Sequence, residues 1–142
     1  MATTSEPLRP SAILESSLYT PDLDAGRIFY EDLLGLELYS EEAGRHLFFR
    51  CGGGMLLLFN PAQAEISTGA VPTHGGRGPG HLAFSIQETE VEDWRSHLTN
   101  SGIAIEAEIS WPAGGRSLYF RDPAGNSLEL ATPKTWGLPQ DE

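Results

Sequence analysis

Gly80-His81-Leu82-Ala83-Phe84-Ser85-Ile86 reads as a strand, and the rest of the chain is organised around it. Leu82, Phe84 and Ile86 fall on one side of an extended backbone, while His81, Ala83 and Ser85 fall on the other. The apolar side needs a covering element. His81 then stands at the mouth of the strand, on the side turned away from that cover. A lone histidine in a strand is more often an ordinary polar residue than a ligand, so its surroundings must carry the argument.

Moving outward, a helix is predicted over 89–100, with Val91, Trp94 and Leu98 on one face and Gly102 ending it. A strand of alternating Ile and Glu or Ala follows over 103–109, then a turn at 112–115 and a strand over 116–121. Asp122-Pro123-Ala124-Gly125-Asn126 is a tight turn, and 127–131 the last strand. The same order occurs once before: a strand over 11–19, a helix over 25–34 started by Pro21-Asp22 and closed by Gly35, then strands over 36–39, 46–50 and 55–59. Leu47-Phe48-Phe49-Arg50 lies 71 positions before Leu118-Tyr119-Phe120-Arg121. Such a repeat predicts an α+β fold of two βαβββ modules that form a curved mixed sheet around a central cavity. The expected divisions of this one compact domain are a flexible N-terminal arm (1–10), the first module (11–61), a linker loop (62–79), the second module (80–133) and a C-terminal tail (134–142).

Composition narrows the partners. A net charge of −11 argues against nucleic acid and against an anionic membrane surface. The single cysteine, Cys51, permits no internal disulfide and points to a reducing compartment. No apolar run approaches the roughly 20 residues that span a bilayer, and residues 1–10 lack the apolar core of a secretion signal. The expectation is a soluble cytoplasmic protein.

The face away from the helices is where chemistry is expected. Leu14 and Leu18 are assigned to the helix side of the first strand, which turns Glu15 and Ser17 inward. Leu118 and Phe120 leave Ser117 and Tyr119 inward; Leu128 and Leu130 leave Glu129 inward. A carboxylate between two leucines is costly to bury alone. Glu15, His81 and Glu129 therefore form a candidate open site for one divalent metal ion: Mn²⁺, Fe²⁺, Ni²⁺, Co²⁺ or Zn²⁺. The competing reading pairs Glu129 with Arg50 or Arg116 and leaves Glu15 on a solvated edge.

These residues also carry a resemblance. Pro21-Asp22-Leu23, Phe29-Tyr30-Glu31-Asp32-Leu33-Leu34-Gly35-Leu36, Gly80-His81-Leu82-Ala83-Phe84, and the run from Tyr119 through Asp122-Pro123-Ala124-Gly125-Asn126 to Leu130 resemble the vicinal oxygen chelate superfamily. Its members include glyoxalase I, extradiol dioxygenases, fosfomycin-resistance proteins and bleomycin-resistance proteins. The resemblance spans roughly residues 12–133 and implies paired modules, a metal in the cavity and a homodimer. It places the metal ligands on Glu15 (where His is usual), His81 and Glu129. A fourth ligand of glyoxalase-like members falls on Leu57 or Leu58, and leucine binds no metal. Ser117 and Tyr119 match positions that line the substrate site in fosfomycin-resistance members.

The chemistry implied is binding of a small substrate through two neighbouring oxygens on the cation, of lyase, isomerase or dioxygenase type. Glu129 is the candidate general base, with Glu15 as its alternate. The substrate is expected to meet Ser17, Phe48, His74, Trp111, Ser117 and Tyr119, although His74 also reads as an exposed loop residue, and Trp111 and Tyr119 as packing. The alternative from another class is a metal-free, bleomycin-resistance-like protein that binds a drug or metabolite.

Overall fold

The computed structural model describes residues 7–140, so part of the expected N-terminal arm and the end of the tail lie outside the described residues. The first half contains β1 (Glu15–Tyr19), α1 (Leu23–Arg27), β2 (Glu37–Glu42), β3 (His46–Cys51), β4 (Gly54–Phe59) and a single-turn helix α2 (Pro61–Ala64). The second contains β5 (His81–Ser85), α3 (Val91–Asn100), β6 (Ala107–Ser110), β7 (Arg116–Arg121) and β8 (Ser127–Ala131). Each half is a four-stranded mixed sheet. The orders are β1-β4-β3-β2 and β5-β8-β7-β6, with β1–β4 and β5–β8 parallel and the remaining pairs antiparallel. The duplicated topology expected from the repeat is therefore present, strand for strand.

Alternation decides which side chains enter the core. Leu18, Leu47, Phe49, Leu56 and Leu58 of the first sheet share one buried cluster with Leu118, Phe120, Leu128 and Leu130 of the second. Phe29, Tyr30, Val91 and Leu98 from the helical segments complete it. Burying this much aliphatic and aromatic surface is the principal stabilisation of the fold. The opposite sides of both sheets are left for other uses.

A buried polar hub joins the halves. The carboxylate of Asp122 accepts from the Tyr30 hydroxyl (2.6 Å), from the backbone amides of Ala124 and Asn126 (2.9 Å each) and from the Asn126 side chain (2.9 Å). Asn126 also donates to the Tyr19 carbonyl (3.1 Å) and accepts from the Gly80 amide (2.7 Å). One turn thus holds the end of β1, the entry to β5 and the first helical segment.

Four sequence expectations are corrected. The first strand starts at Glu15, and Leu14 is 71 % exposed rather than packed on a helix. Its carbonyl instead accepts from the Met55 amide at 3.0 Å, where a Cβ on Gly54 would lie 2.7 Å from that oxygen. The first helix is α-helical only to Arg27 and continues as a π-helical turn over Ile28–Leu33. The strand expected over 103–109 begins only at Ala107, because the Ile103 amide still closes α3 by donating to the Leu98 carbonyl past Gly102, whose φ is 77°. Part of the linker is structured: α2 occupies its start, and the His74 amide donates to the Ala64 carbonyl at 3.1 Å. Among the described residues, no helix is long and apolar enough to cross a membrane.

Candidate metal and substrate faces

The parallel pairing of β5 with β8 sets His81 opposite Ser127 and Ala83 opposite Glu129. The antiparallel pairing of β7 with β8 sets Tyr119 opposite Glu129. His81, Ser117, Tyr119 and Glu129 consequently share the face turned away from the core. Glu129 is 7 % exposed there, between Leu128 and Leu130 in the core cluster.

The hydrogen bonds orient this group. His81 Nδ1 lies 2.9 Å from the Ser127 carbonyl oxygen, which can only accept, and this assigns the proton to Nδ1. Nε2 then faces Glu129 Oε1 at 3.3 Å. In the neutral ring Nε2 carries a lone pair, so two electron-rich atoms confront one another. A proton on Nε2 or a cation taken up between them relieves that repulsion. A neutral imidazole whose other N–H is anchored to a carbonyl, beside a carboxylate oxygen, is a donor pair suited to a divalent ion. The second carboxylate oxygen is already engaged: Ser117 Oγ donates to Glu129 Oε2 at 2.5 Å, and Trp111 Nε1 donates to Ser117 Oγ at 2.8 Å. The Tyr119 ring lies 6.4 Å from that of His81. Burial, and then the charge of Glu129, raise the Tyr119 hydroxyl above the usual tyrosine value, so it remains protonated.

Among the described residues, neither Arg50 nor Arg116 neutralises Glu129. Arg116 reaches Glu92 and Glu108, while Arg50 lies 3.8 Å from Glu37 and over the ring of Tyr39.

The other predicted residues occupy the equivalent face of the first sheet. Glu15, Ser17, Phe48 and His74 line a cavity of about 710 Å³ whose walls come from residues 15–74. Among the described residues, no three His, Cys, Asp or Glu side chains gather at metal-binding range within one chain. A single chain therefore presents two faces: the His81–Glu129 pair on one, Glu15 on the other. The alternative positions for a fourth ligand separate cleanly, since Leu57 faces this cavity and Leu58 lies in the core.

Sequence reasoning passed over Tyr19, His46 and Phe59 on the first face. His46 lies flat on Phe48 with ring centres 3.7 Å apart, and Tyr19 Oη is 2.7 Å from His74 Nδ1. The signal was present in the strand period: Tyr19 follows Glu15 and Ser17 by steps of two, and His46 precedes Phe48 by two.

Comparison with known proteins places this architecture. The family model described as the Glyoxalase/Bleomycin resistance protein/Dioxygenase superfamily matches residues 12–130, and the chain belongs to that superfamily. A crystal structure of a lactoylglutathione lyase from Agrobacterium tumefaciens is 42% identical with a TM-score of 0.88, over 91% of this chain and 98% of that one. The metallothiol transferase FosB of Staphylococcus haemolyticus is 31% identical over 108 residues, covering 73% of this chain and 70% of that protein. The glutathione transferase FosA of Serratia marcescens is 29% identical over 116 residues, covering 80% and 75%.

Proposed function

We propose that this protein is a metal-dependent enzyme that binds a small substrate through neighbouring oxygens on one divalent cation, with lyase-type chemistry favoured over isomerase or dioxygenase chemistry. The observation that carries the reading is the His81 Nε2–Glu129 Oε1 pair at 3.3 Å, with Nδ1 anchored on the Ser127 carbonyl. The similarity to a lactoylglutathione lyase supports the reaction class. Two protein ligands leave the ion under-held, and Glu15 is the natural third. It lies on the first-sheet face, so the proposed working unit is a cytoplasmic homodimer in which the Glu15 face of one copy covers the His81–Glu129 face of the other. Ile13, Leu14, Trp136 and Leu138, all exposed apolar side chains, are available for the contact.

When bound, the ion supplies Lewis-acid polarisation of the substrate oxygens. The chain's own groups do the rest. Ser117, itself oriented by Trp111, holds Glu129 Oε2, so Oε1 is the carboxylate atom that would hold the ion or take a proton. Glu129 then accepts the substrate proton as general base. The protonated Tyr119 hydroxyl donates to a substrate oxygen.

The test is elemental analysis of purified protein, with about one ion per chain expected after loading with Mn²⁺ or Ni²⁺ and dialysis. His81→Ala and Glu129→Ala should each abolish retention. A wild-type protein that keeps no ion refutes the enzyme reading and favours the metal-free binding protein, for which the aromatic first-sheet face speaks. A panel of hemithioacetals, catechols and fosfomycin with thiols then separates the reaction types.

A further inference from the structure

The first-sheet cavity has a chemical character of its own. Its ring-bearing walls are Tyr19, Tyr39, His46, Phe48, Phe59 and His74. These rings hold one another in place: Phe59 meets His74 edge-on at 4.5 Å and Phe48 edge-on at 5.5 Å, while His46 stacks on Phe48. Among the described residues, the charges along the walls are two carboxylates, Glu15 and Glu42, and one guanidinium, Arg45. Arg45 is already committed, donating to the Gln63 carbonyl at 2.8 Å and lying 3.9 Å from Glu42. Burial holds His46 below the ordinary histidine value of 6.5, so it is neutral at pH 7.

We propose that this cavity is the subsite for the part of the substrate that does not reach the metal, and that this part is a planar apolar group, uncharged or positively charged, and not an anion. The proposal rests on the enzyme reading above for the word substrate, but its physical content belongs to the cavity alone. An anionic group entering here would give up water without meeting a free cation, since Arg45 is already paired with Glu42, and Glu15 adds repulsion while it holds no ion. A neutral ring gains edge and face contacts with the aromatic walls, and a cation adds attraction to ring faces and to Glu42.

The chain's two methionines are Met1 and Met55, and Met55 lines this cavity. Protein carrying ¹³C-methyl methionine is therefore titrated with benzyltrimethylammonium, benzyl alcohol and benzenesulfonate, a matched series in which the sulfonate is a poor metal ligand. The expected result is movement of the Met55 methyl resonance with the ammonium and the alcohol, each bound about tenfold or more tighter than the sulfonate. Glu42→Gln should reduce the preference for the ammonium over the alcohol, and Phe48→Ala should weaken all three probes without changing metal content. A sulfonate that binds as tightly as the ammonium, or a Met55 methyl unmoved by all three, overturns the proposal. Metal analysis of the same preparation reads the enzyme hypothesis separately, so loss of one does not mask loss of the other.

Discussion

His46 shows how one side chain ties stability to acidity. Its ring is stacked on Phe48, and burial is the principal cause lowering its affinity for a proton, with Glu42 opposing. The unfolded chain takes up that proton at the ordinary value of 6.5, before the folded chain does. Stability contributed by neutral His46 is thus fully present above 6.5 and is lost as pH falls through and below it. His46→Gln removes this component. Urea midpoints measured at about pH 7.5 and 5.5 should fall further for the wild type than for the variant; equal losses would exclude His46 as the source. The lowered carboxylates Glu65, Glu92 and Glu108 act in a separate window, below their ordinary 4.5.

At the scale of elements, the Asp122–Asn126 turn is the joint on which the arrangement depends. Asp122→Ala leaves the fully buried Tyr30 hydroxyl and the Asn126 amide without their acceptor, and should cost about 3 kcal/mol or more in urea unfolding. Tyr30→Phe removes one donor and leaves the carboxylate its remaining three, so about 1 kcal/mol is expected. If the two variants lose equally, the hub is not the joint described here. This turn also shows what was legible in advance. Pro, Gly and Asn mark it in the sequence, and the strands around it follow from alternation. The hydrogen bonds from Tyr30 to Asp122 and from Asn126 to the Tyr19 carbonyl could not be read, because they join residues 92 and 107 positions apart. The strand ends were lost for local reasons: Leu14 and Ile103 continue an apolar alternation, but their backbone groups serve a hairpin end and a helix cap.

At the scale of the molecule, strand period predicted which side chains face away from the core: Glu15, His81, Ser117, Tyr119 and Glu129 all stand on the sides assigned to them. Period alone carries no information on whether two faces of one chain meet or stand apart. The proposed pairing of faces between copies has a direct test. A Glu15→Gln chain retains the His81–Glu129 face, and a His81→Ala/Glu129→Ala chain retains Glu15. Refolded together, they should regain about one ion per mixed dimer, although the double variant alone retains none and Glu15→Gln alone binds weakly. No gain on mixing would mean that the site is not built between copies.

The repeat makes the two faces positional equivalents. Glu15 pairs with Met55 and Ser17 with Leu57 as His81 pairs with Ser127 and Ala83 with Glu129. Phe48 stands opposite Leu57 as Tyr119 stands opposite Glu129. Leucine at 57 therefore occupies the place that glutamate holds at 129, and phenylalanine at 48 the place that tyrosine holds at 119. On the proposed reading, one repeated frame serves chemistry in one half and recognition in the other. With Glu15 the sole proposed link between the two tasks, substitutions on the first-sheet face other than at Glu15 should alter which substrate is held while leaving the His81–Glu129 pair in place.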